Sequence, residues 1–292
     1  MTYRFHAACA TLQRDPAELR LRDRAVLRIL NRAGAATASQ LTVLAYRNRR
    51  LAQAHLRRLW ADGLLERAAL PPAGLRGGSP FAYRLSPACL HRLGYRRNPW
   101  RGPGYLTHTL DGVDAACSLV GTSDQEGGSP VQLWLPESIA SDVLPDGILP
   151  DALVVLATAA GSGVVCLEID EATQHVAPIR NKLRAYHRVL ESRQGWHVLF
   201  VVPTVTRQAW LRRVTARLDL GPGRLWTATL RELEQSGMDS VVAGLGSGAQ
   251  TTTLKTAMDD PEPRWSGTPA GSAGWLELLG SGGGEELLGL LG

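Results

Sequence analysis

Residues 49–63, RRLAQAHLRRLWADG, decide how the first part of this chain folds. Their spacing predicts a helix over 49–62 that ends at Gly63. At 100° per residue, one face of this helix carries Ala52, His55, Leu56 and Leu59. Another face carries Arg49, Arg50, Gln53, Arg57 and Trp60. One face therefore packs, with His55 as a core histidine, while the other presents guanidinium groups, as a DNA-recognition helix must.

The segments around this helix predict a winged helix-turn-helix domain over residues 16–95. Two helices precede it, over 23–34 and over 38–46 behind a Thr37 cap. Two short strands follow, over 64–67 and 81–85, and flank a loop with an Arg-Gly-Gly sequence. We expect this domain to bind double-stranded DNA through Arg47, Arg49, Arg50, Gln53, Arg57 and Arg76. A merely solvated arginine face is the alternative, which the preceding helix and the basic loop disfavour.

The charge is divided unevenly along the chain. Residues 1–103 contain 19 Arg against 5 Asp and Glu, whereas residues 104–292 contain 13 Lys and Arg against 22 Asp and Glu. A basic half next to an acidic half indicates that the first half contacts a polyanion. A GC-rich codon bias would explain arginine in place of lysine, but it does not explain this segregation.

Several classes of protein are disfavoured by what the sequence lacks. No apolar run approaches the roughly 20 residues that span a bilayer, and the N-terminus has no apolar core of signal-peptide length. We therefore expect a cytoplasmic protein without a membrane segment. The four cysteines show no C-x-x-C pairing, which argues against a zinc ribbon or a disulfide framework.

The second half predicts a mixed α/β fold over residues 104–235, behind a Pro- and Gly-rich linker at 96–103. Its helical and strand patterns follow the order α-β-β-β-α-β, with an α+β mixed sheet. Residues 236–292 form a Gly-rich, partly flexible C-terminal region. Its Leu-rich end, 275–292, is a candidate peptide for docking on a replication or transfer protein, and a disordered tail is the alternative.

Three carboxylates are candidates for a metal site in this half. Glu168 and Asp170 stand two residues apart in a predicted strand, so they share one sheet face, and Asp151 lies in the neighbouring strand. Such a cluster is costly without a cation. Magnesium or manganese would remove that cost and would supply a Lewis acid and an activated water for phosphodiester cleavage.

Helical residues supply further candidates. Lys182 lies at the edge of an apolar helical stripe beside Tyr186, where it could orient the attacking water or neutralise charge at the phosphorus. A snorkelling lysine without a function is the alternative. On the first helix of this half, His108 and Asp114 are candidate accessory residues, although a cap or a surface position would equally explain them.

These motifs resemble those of a known family. The sequences LPD at 149–151 and LEIDEAT at 167–173, followed by Lys182 and Tyr186, are similar to the core of the replication-relaxation family of plasmids and other mobile elements. The resemblance implies a winged helix joined to a PD-(D/E)xK nuclease-like domain. The catalytic residues would then be Asp151, Glu168, Asp170 and Lys182.

One departure from the general nuclease motif leaves two functions open. Asp170 stands where a lysine is usual, so Lys182 would have to supply that charge from the helix. If Lys182 does so, we expect a DNA-processing protein that acts as a metal-dependent endonuclease or nickase. The alternative is a non-catalytic, site-specific DNA-binding protein, an initiator accessory or repressor, whose second domain binds partners. A homodimer is a candidate assembly for either.

Overall fold

The computed structural model describes most of the chain, and it places two compact units on either side of residue 113. The described residues are 4–9, 11–15, 18–46, 48–71, 80–95, 103–121, 131–137, 140, 144, 148–158, 161–193, 195–220, 223–247 and 249–259. The units are Met1–Val113 and Asp114–Gly292, and the division falls within the helix Pro103–Gly121. The predicted linker at 96–103 lies almost wholly outside the described residues.

The first unit combines helices with a small antiparallel sheet. Its elements are β1 (His6–Ala7), α1 (Leu21–Ala33), β2 (Ala36–Thr37), α2 (Ala38–Ala45), α3 (Arg49–Ala61), β3 (Leu65–Ala69), β4 (Phe81–Leu85), α4 (Pro87–Arg92) and the first part of α5 (Pro103–Gly121). The four strands pair in the order β1-β3-β4-β2. The three helices and the β3–β4 pair lie close to the bounds that the sequence predicts. The winged-helix assignment itself stays a prediction.

Local sequence signals start α2 and α3 and end α3. The Thr37 cap is confirmed, since its hydroxyl accepts from the Gln40 amide at 3.2 Å while the Gln40 side chain accepts from the Thr37 amide at 2.7 Å. Asn48 caps α3 by accepting from the Arg50 amide at 2.8 Å. After α3, Gly63 adopts φ +76°, and a Cβ there would lie 2.8 Å from the Thr11 carbonyl oxygen. Only glycine fits that turn.

The second unit is built on one mixed sheet. After the last part of α5, its elements are β5 (Val131–Pro136), β6 (Ala152–Thr158), β7 (Gly161–Ile169), α6 (Val176–Ser192), β8 (Trp196–Val202), α7 (Val205–Thr215), β9 (Leu225–Thr229), α8 (Leu230–Ser236), a 3₁₀ turn (Gly237–Asp239), β10 (Val241–Gly244), β11 (Thr251–Thr253) and α9 (Leu254–Asp259). The seven strands are ordered β11-β10-β9-β8-β7-β6-β5. Among the described strands, the β7–β8 and β8–β9 pairs are parallel and the others antiparallel. The mixed α/β class is therefore confirmed, and the predicted order α-β-β-β-α-β runs from α5 to β8.

Each face of this sheet is covered by its own helices. Residues of α5, α8 and α9 pack on one face, where Val165, Leu167 and Leu199 lie in the core. Residues of α6 and α7 pack on the other, against Cys166, Val198 and Phe200 among others. All seven residues of β8 are buried, as expected for a central strand with helices on both sides. Within the described residues, no helix is long and apolar enough to cross a membrane.

The sheet continues past residue 235, where the sequence predicts a loose Gly-rich region. β10 pairs with β9 and β11 pairs with β10, both antiparallel, and α9 buries Leu254, Ala257 and Met258. These elements are only three to six residues long, too short for a clear periodicity. The candidate docking segment 275–292 lies outside the described residues.

A histidine in β8 should make the second unit sensitive to acid. His197 is buried, and burial with the nearby Arg224 charge lowers its pKa from 6.5 to about 4. Between pH 6.5 and about 4, His197 is therefore protonated in the unfolded chain but neutral in the folded protein. We expect His197 by itself to lower the free energy of unfolding by about 3 kcal/mol as the pH drops from 6.5 to about 4, while the buried Glu168, whose pKa is raised, acts in the opposite direction.

The measurement is denaturant unfolding of the second unit across that pH range. His197→Asn keeps an acceptor for the Trp226 indole N–H, which donates to Nδ1 of His197 at 3.4 Å. Between pH 6.5 and about 4, the wild type should lose about 3 kcal/mol of stability relative to this variant, whereas His175→Asn, at an exposed position, should match the wild type. Equal acid sensitivity in wild type and His197→Asn would contradict the assignment.

Candidate functional site

The exposed side of α3 carries four of the six predicted DNA contacts. The side chains of Arg49, Arg50, Gln53 and Arg57 are all exposed, whereas Ala52, Leu56 and Leu59 are buried. The division into a packing face and a cationic face is therefore present. The other two predicted contacts, Arg47 and Arg76, lie outside the described residues.

A buried aspartate fixes α3 to α1. Asp23 is wholly buried on α1, and it accepts from Nη2 of Arg58 on α3 at 2.7 Å. Its carboxylate also lies 3.7 Å from Nδ1 of His55, whose ring is 3.3 Å from the Tyr46 hydroxyl. His55 thus packs inward as predicted, and burial lowers its pKa. The adjacent arginines Arg57 and Arg58 have different roles, because 100° of helix rotation turns one outward and the other to Asp23.

In the second unit, α6 brings two side chains to one carboxylate. Glu168 lies near the end of β7 and is 2% exposed. Lys182 Nζ donates to its Oε2, and the Tyr186 hydroxyl donates to its Oε1. Lys182 and Tyr186 stand one helical turn apart, so both reach the same point of the sheet. The ring of Phe200 lies edge-on to that of Tyr186, with centroids 6.4 Å apart.

Asp151 completes this group, which we call the Glu168 cluster: Asp151, Glu168, Lys182 and Tyr186. The β6–β7 register pairs Ala152 with Leu167, so Asp151 stands opposite Glu168. Its Oδ2 accepts from the Ile169 amide at 2.7 Å. The structure therefore brings together four residues that the sequence singled out.

Burial dominates the electrostatics of the cluster. It raises the pKa of Glu168 to about 8; the neighbouring Asp151 charge acts in the same direction and Lys182 opposes it. Burial and the Glu168 charge also raise the pKa of Tyr186 well above its usual value. The Tyr186 hydroxyl therefore remains a hydrogen-bond donor, and the cluster can take up or release a proton near neutral pH.

Asp170 follows Glu168 on the same side of the sheet but has another partner. Arg207 on α7 donates to both of its oxygens, from Nε at 2.6 Å and from Nη2 at 3.1 Å. The Ala172 amide also donates to Oδ1 at 3.0 Å, within a turn that gives Ala172 a φ of +61°. Asp170 thus anchors α7 to the end of β7. Sequence reasoning missed Arg207, because nothing local marks it among many arginines.

A family comparison covers both α3 and the Glu168 cluster. The model of the replication-relaxation family matches residues 27–205, which is more than half of the chain. The chain belongs to the replication-relaxation family. This confirms the resemblance drawn from the LPD and LEIDEAT motifs, and it connects the protein with replication or relaxation. Comparisons with curated proteins and with solved structures found no match.

In this family member the three predicted metal ligands do not form one site. Within the described part of the chain, no group of three His, Cys, Asp or Glu side chains is arranged to hold a metal ion. Asp170 does not fit such a site, because Arg207 and a backbone amide bind both of its oxygens. Asp151 and Glu168 are adjacent carboxylates, and both oxygens of Glu168 likewise accept from protein donors, Lys182 and Tyr186.

The two candidate accessory residues are both on α5, and Asp114 is not part of this cluster. His108 belongs to the first unit and Asp114 to the second, both on α5. Next to Asp114, Ala115 and Leu119 pack on the sheet face opposite to the one that α6 covers. The helix that carries Asp114 is therefore on the other side of the sheet from Lys182 and Tyr186.

Proposed function

We propose that this protein binds duplex DNA of a plasmid or another mobile element and takes part in its replication or relaxation. The observation that carries the proposal is the exposed side of α3, where Arg49, Arg50, Gln53 and Arg57 stand together. Arginine offers a planar fork of donors that suits phosphates and guanine edges, and glutamine suits adenine. The excess of 19 Arg over 5 acidic residues in the first 103 residues adds a long-range attraction.

The anchoring of α3 also supports DNA recognition. A recognition helix must hold its register while its outer side meets the groove. Asn48 starts α3 with a side-chain cap, and Arg58 fastens it to the buried Asp23 on α1. The exposed arginines therefore project from a helix whose position is fixed before DNA arrives, which lowers the entropy cost of binding.

Titration of a labelled duplex with the full chain, at salt concentrations between about 50 and 200 mM, tests the proposal. The logarithm of the binding constant should fall linearly with the logarithm of the salt concentration, by about 0.9 for each phosphate contacted. Competition with unrelated duplexes then measures site specificity. A binding constant that does not depend on salt, or no binding at all, would overturn the proposal.

A second candidate function is metal-dependent cleavage of the bound DNA. The adjacency of Asp151, Glu168 and Lys182 favours it, because carboxylates can hold a divalent ion and a nearby ammonium can neutralise charge on the phosphate. Asp151 would hold the ion together with Glu168, which would first have to release Lys182 or Tyr186 from one of its oxygens. A bound ion would supply charge neutralisation and an activated water. Lys182, whose side chain is 30% exposed, would present its amine to the phosphate. The role of Lys182 would thus be electrostatic.

Incubation of supercoiled plasmid with the protein and Mg²⁺ or Mn²⁺ tests this candidate. We expect Asp151→Asn to reduce nicking at least about 100-fold, because one of two carboxylate ligands is removed while Asn can still accept from the Ile169 amide. Glu191→Gln, an exposed carboxylate on α6, should nick like the wild type. Chelation of the metal should stop nicking and leave DNA binding unchanged.

The opposite outcome has a definite meaning. If the wild type does not nick above Asp151→Asn with either ion, and Mn²⁺ does not raise its thermal stability, the enzymatic candidate is overturned. The protein is then a non-catalytic initiator accessory or repressor, and the Glu168 cluster is a structural link between β7 and α6.

A further inference from the structure

A cavity of about 400 Å³ lies in the first unit, beyond the predicted DNA contacts of α3. It is lined by Arg4, His6, Trp60, Arg67, Ala69 and Phe81. None of these residues is acidic, and three of them carry aromatic rings. The cavity therefore combines positive charge with flat apolar surface.

The groups around this cavity are held in place by their own contacts. The guanidinium of Arg67 lies 3.7 Å from the ring centre of Trp60 and 4.3 Å from that of Phe81. Arg67 also stands opposite Tyr83 in the β3–β4 pair. The Trp60 indole N–H donates to the His6 carbonyl at 3.0 Å, and the β1–β3 pairing sets His6 opposite Arg67. These contacts preorganise the rings and the guanidinium before a ligand binds.

This chemistry suits one class of ligand. Aromatic side chains stack on nucleobases whatever their identity, and arginines bind the phosphates between them. In an intact duplex the bases are stacked inside, so a ring-lined cavity can receive a base only from an unpaired nucleotide. A phosphate contact alone would need the arginines and neither the concavity nor the rings.

We propose that this cavity binds an unpaired nucleotide, with its base stacked on the outer side of the Trp60–Arg67–Phe81 group and its phosphate at Arg4 and Arg67. The proposal rests on the proposed binding of duplex DNA by α3. Trp60 follows Arg57 by three residues, so it lies on the same side of α3, one turn further along. The protein would therefore bind a junction between duplex and single strand more tightly than a blunt duplex.

Fluorescence anisotropy with two labelled DNA probes tests this preference. One probe is a blunt duplex, and the other is the same duplex with a short single-stranded extension. We expect the full chain to bind the extended probe about tenfold more tightly, because stacking of a base on an aromatic side chain contributes about 1–3 kcal/mol. Trp60→Leu should lower the affinity for the extended probe far more than that for the blunt duplex and so abolish the difference, whereas Trp60→Phe should retain most of the difference.

Two further variants test whether the preference for the extended probe depends on Arg67 specifically. Arg67→Lys keeps the charge but removes the planar group between the two rings, and it should reduce the preference. Arg84→Gln removes a comparable arginine, which pairs with Glu66 at 2.7 Å and covers the ring of Phe5 at 4.1 Å. It should keep the preference. Circular dichroism and the midpoint of thermal unfolding report whether each variant is folded.

The failures of the two proposals are distinguishable. A wild type that binds both probes equally overturns the cavity proposal and leaves duplex binding by α3 intact. Equal losses of affinity for both probes in Trp60→Leu, in a folded protein, assign Trp60 to the duplex interface and also overturn the cavity proposal. A wild type that binds only the extended probe supports the cavity and overturns duplex binding by α3.

Discussion

Replacement of Arg49, Arg50 and Arg57 with alanine is expected to weaken duplex DNA binding at least about 100-fold at physiological salt, since each arginine that binds DNA contributes about 1 kcal/mol or more. All three side chains are exposed on one side of α3, so their removal should leave the fold unchanged. The salt dependence should also flatten, by a slope of about 0.9 for each phosphate that the variant no longer neutralises. Titrations at several salt concentrations measure both effects.

A second triple variant separates a specific interface from net charge. Arg212, Arg213 and Arg217 are equally exposed but lie in and after α7 of the second unit. Their replacement with alanine removes the same charge from the chain. It should change duplex affinity only a few-fold. Equal decreases in affinity for the two triple variants would show that DNA is attracted by overall charge and would remove α3 as the binding element.

Asp23→Ala is expected to destabilise the first unit by about 3 kcal/mol. Asp23 is 0% exposed and accepts from Arg58 at 2.7 Å, so its removal leaves that guanidinium without its carboxylate. Breaking a buried pair costs more than the pair contributes to stability, because the remaining charge stays desolvated. Arg58 is one-third exposed and can partly reach water, which keeps the cost at the lower end. Hydrogen exchange of the α1 and α3 amides measures the effect within this unit.

The surface pair of Asp15 and Arg92 provides the control. Oδ2 of Asp15 and Nη2 of Arg92 lie 2.6 Å apart, but the side chain of Asp15 is 35% exposed and that of Arg92 is 59% exposed. Asp15→Ala should therefore cost only about 0.5 kcal/mol. Asp23→Ala should also weaken duplex binding, because α3 loses its anchor to α1. A cost for Asp23→Ala no greater than that for Asp15→Ala would contradict the role assigned to the buried carboxylate.

Much of the fold was predictable from periodicity. The helices α1 to α3 and the order α-β-β-β-α-β follow from apolar spacing of 3.6 or 2 residues, a local property of the chain. The strands β10 and β11 were not predicted, because four and three residues are too few for a period to show. β10 becomes a strand because it pairs with the edge of β9, and β11 because it pairs with β10.

The candidate site was predictable only in part. The motifs identified Asp151, Glu168, Lys182 and Tyr186, and antiparallel pairing of adjacent strands brings the first two together. Alternation along β7 correctly put Asp170 on the Glu168 side but did not show its partner. That partner, Arg207, lies on another helix, and one arginine among many carries no local signal.

By itself, the sequence determined the two-faced character of α3, the mixed α/β class and the membership of a replication-relaxation family, because each depends on residue spacing or on short motifs. Only the tertiary structure decided which charges meet. Asp23 and Arg58 are 35 residues apart, Asp170 and Arg207 are 37 apart, and Glu168 and Lys182 are 14 apart. Such ion pairs form when packing brings their side-chain nitrogen and oxygen atoms within about 4 Å of each other. That packing depends on the whole core and not on the residues next to either partner in the sequence.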